Sequence, residues 1–427
     1  MSFENHLERS SGSTQWVNCT LGEQITLQRG VDITKKVMRN GSIPVISSGG
    51  ISGYHDTYHA KGPGVVIGRK GTLGTVYFVK EDYWPHDTSL WVKDFKGNNP
   101  KFVYYFLKTL DLKRYDVGSA NPTLNRNHVH PISVNWPVLK VQREIVGILE
   151  ALDEKIEINN AINKNLEEVA QAIFKRWFVD FEFPNENGEP YKTSGGEFEE
   201  SELGSLPKGW KFGLLSELGE IAGGSTPSKN NDEYYTNQGI PWITPKDLSI
   251  NKNKYISRGQ IDITKKGFKN SSTRLLPKGT VLFSSRAPIG YMAISKNEVT
   301  TNQGFKSIIP SKHVGSEFIY YLLKYNTDNI ESRASGSTFK EISGGEMKRV
   351  PVLIPSLDTI AHFNNIIQSS GSLIEKCERE NESLVLIRDT VLPKLMSGEI
   401  RVSVEQEYAQ VVDLPMVAES SEKYSTH

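Results

Sequence analysis

Two short strings carry the side chains best suited to gripping a polyanion. Arg69-Lys70-Gly71-Thr72-Leu73-Gly74 and Arg286-Ala287-Pro288-Ile289-Gly290 each put a cation between an apolar run and a turn. A guanidinium can bond guanine O6 and N7 through its planar fork, or hold a phosphate oxygen. Because Arg69 and Arg286 hold similar places in the two halves of the chain, phosphate positioning is the leading reading, with a structural salt bridge as the alternative. A second pair of strings, His86-Asp87-Thr88-Ser89 and Thr301-Asn302-Gln303-Gly304, holds residues that can read base edges. Asn and Gln pair with adenine N6/N7, and Asp accepts from cytosine N4. The same residue types cap turns, and the two readings stand level. In a third pair, the loop from Ser47 to His55 answers to Thr244-Pro245-Lys246-Asp247-Leu248. Its glycines permit close approach to a phosphate, with Tyr54 and His55 in reach of a groove, although flexible loops use the same glycines. The candidate nucleic-acid contacts are Ser48, Tyr54, His55, Arg69, Lys70, His86, Asp87, Thr88, Lys246, Asp247, Arg286, Asn302, Gln303 and Lys306.

The elements that must position these residues come in two sets. Short apolar runs bounded by glycine, such as Gly64-Val65-Val66-Ile67 and Val76-Tyr77-Phe78-Val79, predict strands joined by turns, and Phe102 to Leu110 predicts a short amphipathic helix. Their counterparts are Val281-Leu282-Phe283, Met292-Ala293-Ile294 and a helix near Phe318–Lys324. The chain also repeats itself at one fixed offset, without a gap. Gly118-Ser119 recurs as Gly336-Ser337, Pro137 as Pro355, Ile145 as Phe363, Ile156 as Ile374, Asn163 as Asn381 and Leu166 as Leu384. Two units, each a globular part followed by a long helix, suit the reading of a two-part target.

From Ile145 through Leu149, Leu152, Ile156, Asn159, Asn163, Leu166, Ala170 and Ile173 to Trp177, spacings of four and three alternate. That seam predicts a coiled coil, and the repeat of the helix is its simplest partner. In the second helix Ser370 and Arg388 fall on the seam, where Leu373 and Ile387 are expected to take over. Asn163 and Asn381 face each other only if both lie near the pseudo-twofold axis; otherwise they are hydrated seam positions. Glu182 to Lys208 has no period and is rich in Glu, Gly, Pro and Ser, which predicts an exposed connector, and the acidic stretch from Val402 predicts disorder.

Charge sharpens this division. The formal net charge is zero, yet residues 20–140 carry +7, residues 208–350 carry +9 and the remainder carries −16. Basic globular parts on acidic helices fit a polyanion held by the globular parts alone. Mean hydropathy is −0.42 and no apolar run is long enough to span a bilayer, so no transmembrane helix is expected. The start MSFENHLERSSGS lacks a basic and an apolar region, so no signal peptide is expected, and Cys19 and Cys377 support neither a disulfide framework nor a metal cluster. A cytoplasmic protein follows. Asn99-Pro100 and Asn121-Pro122 are not followed by a second proline, so the tetrapeptide that holds a flipped adenine is absent. No phosphate-binding Gly-x-x-x-x-Gly-Lys-Ser/Thr string occurs, and no cofactor, metal or catalytic residue is expected.

The chain resembles the specificity subunits of type I restriction-modification enzymes over nearly its whole length. The resemblance rests on the order module–helix–linker–module–helix and on local strings: Val141-Gln142-Arg143-Glu144-Ile145-Val146, the run Ile173 to Phe181, Leu206-Pro207-Lys208-Gly209-Trp210 and Thr301-Asn302-Gln303-Gly304-Phe305. One departure is that the second helix begins Pro355-Ser356-Leu357-Asp358-Thr359-Ile360-Ala361 without the counterpart of Gln142, which suggests divergence at a second methyltransferase contact. The resemblance implies an α+β fold with two target-recognition modules (1–140 and 208–355). They are separated by two long helices (141–183 and 356–401) that pair as an antiparallel coiled coil, with a linker at 184–207, a tail at 402–427 and internal pseudo-twofold repetition. It implies a subunit without chemistry of its own that reads a split, asymmetric site in double-stranded DNA. Its implied partners are two methyltransferase subunits and endonuclease/translocase subunits, and no membrane. A protein-binding scaffold and a nuclease with undiagnosed carboxylates stay open as other classes; a salt titration of duplex binding and a metal-dependent cleavage assay separate them.

Overall fold

The computed structural model describes residues 15–34, 36–116, 123–201, 204–336 and 340–402. Gly118, Ser119, Asn121-Pro122, Ser337 and the tail beyond Val402 lie outside the described residues. The chain divides into two compact units, residues 1–153 with 386–427, and residues 154–385.

In the first unit, β1 (Trp16–Thr20) pairs antiparallel with β9 (Ser133–Pro137), and a capping box of Thr20 and Glu23 starts α1 (Leu21–Gln24). One sheet has the order β2 (Thr26–Arg29), β8 (Ser89–Asp94), β5 (Gly64–Gly68), β6 (Val76–Val79). A smaller sheet has the order β4 (Gly50–His55), β3 (Ile43–Ser47), β7 (Trp84–Pro85). The run Val65-Val66-Ile67 shows the strand period of two. Val65 and Ile67 join the main core with Phe102, Phe106 and Trp136, while Val66 joins Ile46, Tyr83 and Trp91. Helix α2 (Pro100–Thr109) begins where the Asn99 side chain accepts from the N–H groups of Lys101 and Phe102, with Pro100 in the first turn. The short α3 (Arg126–Val129) precedes β9, and α4 (Leu139–Phe178) leaves from it.

Gln142 is buried at the start of α4. Its amide donates to Asn98 Oδ1 (2.7 Å) and the Pro137 carbonyl (2.9 Å), and its oxygen accepts from the Asn99 N–H (2.9 Å). The position that echoes Gln142 in the second helix is Ile360, also buried, so a polar knot is replaced by apolar packing. The departure seen in sequence therefore falls on a position that is buried within the chain in both helices. Leu392, Leu395 and Met396 complete this core beside Ile145 and Leu149, and Arg388 donates to Asp153 at 2.8 Å. The other Asp153 oxygen accepts from the Tyr105 hydroxyl at 2.6 Å.

In the second unit, the segment read as an irregular connector contains an antiparallel hairpin, β10 (Phe198–Ser201) with β11 (Gly204–Pro207). Phe183 stacks on both Tyr191 (4.4 Å) and Trp210 (4.7 Å), so aromatic packing orders what composition alone presents as loose. The strand β12 (Lys211–Leu214) pairs with β22 (Pro351–Ile354), as β1 pairs with β9. Helix α5 (Leu215–Leu218) leads to a five-stranded sheet of order β13 (Gly219–Gly223), β21 (Lys306–Pro310), β18 (Val281–Ser285), β19 (Ile289–Ser295), β16 (Tyr255–Ile256). A four-stranded sheet has the order β14 (Tyr235–Thr236), β17 (Ile261–Ile263), β15 (Ile240–Ile243), β20 (Thr300–Thr301). Helices α6 (Pro245–Ile250), α7 (Lys265–Lys269), α8 (Ser316–Ser332) and α9 (Gly344–Lys348) precede α10 (Leu357–Ser397).

The long helices α4 and α10 run antiparallel. In the second unit Phe174 and Trp177 meet Phe363 (5.8 and 6.1 Å), and the Asn159 amide donates to Asn381 Oδ1 and Glu380 Oε2, both at 2.9 Å. Asn381 thus pairs with Asn159, and in turn donates to Asn160 at 2.8 Å; it does not pair with Asn163. Leu373 and Ile387 are exposed, so they do not replace the polar seam residues, and Arg388 keeps its place because Asp153 neutralises it. Where α10 meets the edge strand β16, the Glu378 carboxylate accepts from the N–H groups of Lys254 (2.6 Å) and Tyr255 (3.2 Å). The buried Lys254 ammonium donates to Glu317 (2.6 Å) and the Tyr321 hydroxyl (3.0 Å). Gly371 permits this approach, since a Cβ there would lie 2.5 Å from the Tyr255 hydroxyl.

Candidate nucleic-acid interface

Each unit builds the same small backbone frame at the end of its central strands. In the first, after β5, the Arg69 N–H donates to the Thr88 carbonyl (2.9 Å), and the Arg69 carbonyl accepts from Leu124 (2.9 Å). The His86 N–H donates to the Ile46 carbonyl (2.9 Å), and Val31 donates to Pro85 (2.8 Å). In the second, Ser285 donates to Gly304 (2.7 Å) and accepts from Ile342 (3.1 Å). Asn302 there donates to Ile243 (3.1 Å), and Ser225 donates to Thr301 (2.9 Å). A glycine admits the crossing chain in both. A Cβ would lie 2.0 Å from the His86 carbonyl at Gly30 and 2.2 Å from the Asn302 carbonyl at Gly224.

This frame corrects the sequence alignment by one residue. The counterpart of Arg69 is Ser285, and that of Arg286 is Lys70, which bridges to Thr123 as Arg286 bridges to Glu341. Likewise His86 matches Asn302 and Asp87 matches Gln303, instead of His86 matching Thr301. The resemblance of two arginines drew the sequence alignment; the hydrogen bonds of the main chain fix the true one.

The first unit has an open groove of about 700 Å³, lined by Gln28, Arg29, Asp32, Arg69, Asn125 and Arg126. Arg29, Asn125 and Arg126 were not singled out from sequence, although their basic and amide side chains bracket the frame. Arg29 pairs with Asp87 at 2.9 Å, and His86 Nδ1 lies 3.1 Å from the other Asp87 oxygen. Asp32, His86 and Asp87 bring three possible ligand atoms within 4.8 Å of one another, but both Asp87 oxygens are already engaged. Burial and the neighbouring Arg29 push the Arg69 pKa down, so an incoming acceptor beside its charge is favoured. Ser48 and Thr88 share a hydrogen bond (3.3 Å) beside this groove, Lys70 is exposed and Tyr54 lies on the exposed face of β4. His55 is buried under Trp84 (5.1 Å), with Nδ1 beside Asp56 and Thr57.

The second unit has a cleft of about 600 Å³ that brings together Lys246, Asn302 and Gln303 with Lys229, Trp242 and Gln260. Lys229 and Lys246 are exposed. Asp247 also lines this cleft, but it is buried and its oxygens accept from Thr244 N–H (2.8 Å) and Gln260 N–H (2.9 Å), so it acts as a helix cap. Gln303 accepts from the Thr226 hydroxyl, and Asn302 caps Gly304 (2.9 Å). Arg286 and Lys306 share Glu341, at 3.2 and 3.4 Å.

A family model described as the type I restriction modification DNA specificity domain matches residues 14–168 and 207–380. The chain is 46% identical over 190 residues to the type I restriction enzyme MjaIX specificity subunit of Methanocaldococcus jannaschii, a match spanning 44% of each chain. It is 28% identical over 359 residues to the HindI specificity subunit of Haemophilus influenzae, covering 70% of this chain and 77% of that one. The fold is similar to the S subunit of a type I restriction-modification system from M. genitalium, with a TM-score of 0.58 and 16% identity over 91% of this chain and 98% of that one.

Proposed function

The chain belongs to the type I restriction-modification DNA specificity family, and from that premise we propose that its two modules read the two halves of a split, asymmetric site in double-stranded DNA. It is a recognition subunit without catalytic residues of its own. The observation that carries the reading is the frame built twice with different side chains upon it. One backbone device holding His86 and Asp87 in one unit, and Asn302 and Gln303 in the other, suits two readers of unlike sequences.

The long helices receive two methyltransferase subunits, on which endonuclease/translocase subunits then dock. An outer heptad supports this. Ile148 and Val169 on α4, and Ile366, Leu373 and Ile387 on α10, are 39–55% exposed and sit at multiples of seven, away from the inner seam. Ile148 and Ile366 are repeat equivalents, as are Val169 and Ile387, so one kind of partner helix can be accepted twice. Among the described residues no helix is long and apolar enough to cross a membrane, and action on DNA in the cytoplasm is part of the proposal. The test is the base-by-base methylation pattern of host DNA with and without this gene. Gene-dependent methylation at a sequence of two short parts with an unread gap is expected; methylation of an uninterrupted sequence, or none, refutes the reading.

A further inference from the structure

We propose that Arg69 reads a guanine in the half-site of the first module, while the cation one residue later, Lys70 there and Arg286 in the second module, holds backbone phosphate. The inference rests on the split-site reading and assigns roles within it. A phosphate is present whatever the sequence, so the residue that holds it can be kept in both repeats. A base contact must change when the half-sites differ. At the corrected register the cation at Lys70 and Arg286 is kept, whereas the counterpart of Arg69 is Ser285, a buried hydroxyl.

The surroundings agree with this division. Among the described residues Arg69 has no ion pair, and its one side-chain hydrogen bond is to the Asp87 carbonyl at 3.4 Å. Most of its fork is therefore free for O6 and N7, and the residue lines the groove with Gln28, Asn125 and Arg126. Its backbone is fixed from both sides, by Thr88 and Leu124. The turn that carries it is tight, since a Cβ on Gly68 would lie 2.0 Å from the Thr72 carbonyl. A reading side chain needs such a fixed root. Lys70 is exposed and carries a point charge without a planar fork, which suits a phosphate. Arg286 is tied to Glu341 by a half-exposed pair that a phosphate can displace at small cost.

The full complex with its methyltransferase subunits is presented with duplexes randomised across both half-sites, at several salt concentrations. Three variants, Arg69→Ala, Arg69→Lys and Lys70→Ala, are compared with the unaltered protein. Arg69→Ala should lose selection at one guanine of one half-site and weaken the preferred duplex roughly 5- to 150-fold, the range of one bidentate base contact, and Arg69→Lys, whose ammonium lacks the planar fork, should weaken that selection. Lys70→Ala should weaken all duplexes alike and lower the salt slope by about one, with the selected sequence unchanged. Arg69→Lys keeps the charge and the stem, so it decides the matter if Arg69→Ala fails to fold. Unchanged selection at every position in Arg69→Lys overturns the inference. An unaltered complex that selects no split sequence overturns the underlying reading instead.

Discussion

Replacing Glu378 by Gln should change how the stability of the second unit depends on pH. Glu378 is buried where α10 meets β16, and burial raises its pKa from 4.5 to about 7, against the pull of two N–H donors and Lys296. Lys254, Tyr255 and, from α4, Glu167 also face it. A carboxyl raised in this way favours the folded state when protonated. Its contribution is full below about pH 4.5 and is lost as the pH rises through about 7. The difference amounts to roughly 3 kcal/mol, at about 1.4 kcal/mol for each tenfold change in proton affinity. Gln cannot ionise, so the variant lacks this loss. It keeps one acceptor oxygen but turns an amide toward the second N–H, a penalty of about 1–2 kcal/mol that does not vary with pH. Glu378→Gln should therefore be the less stable protein at pH 5 and the more stable one at pH 8, the difference swinging by roughly 3 kcal/mol. Urea unfolding of the full chain at pH 5, 6, 7 and 8, followed by tryptophan fluorescence, measures it. A difference between the two proteins that stays flat across that range, or swings the other way, refutes the reasoning.

Asp153→Ala and Arg388→Ala should each destabilise the first unit by about 1–3 kcal/mol, since each removes an ion pair between partly buried charges, while the double variant should cost less than their sum; a double-mutant cycle in urea checks this. Ile366→Lys should reduce the number of methyltransferase subunits bound from two to one, as should Ile148→Lys, and native mass spectrometry of the assembled complex counts them. Exchanging residues 208–350 for those of a relative should alter one half of the methylated sequence and leave the other, as seen in the methylome of a strain carrying the hybrid.

The repeat and the two long helices were legible because a heptad seam and a gap-free echo need no knowledge of the third dimension. The roles of single polar residues were less so. His55 and Asp247 have the chemistry of groove readers, yet burial and two main-chain donors turn them inward. Arg388 looked misplaced on an apolar seam because Asp153, which neutralises it, stands far away in sequence. Lys254, in the polar run Asn251-Lys252-Asn253-Lys254, gives no sign that its ammonium is buried, since its partners Glu317 and Tyr321 come from a helix distant in sequence. The one-residue error at Arg69 arose differently: side-chain likeness competed with main-chain register, and register governs the fold.

A chain made of two like halves faces a hazard during synthesis, because each helix could pair with its own kind on a neighbouring chain. The pair of Asp153 and Arg388 stands against that outcome. The repeat equivalent of Arg388 is Ala170, and that of Asp153 is Gly371. Two copies of α4 wound together would set Asp153 against Ala170, and two copies of α10 would set Arg388 against Gly371. Each like-with-like pair would lack this ion pair, leaving Arg388 with Asp389 alone and Asp153 with the Tyr105 hydroxyl alone, whereas the unlike pair within one chain joins the two charges. The flaw in the symmetry thus favours pairing of the two unlike helices of one chain over pairing of like with like.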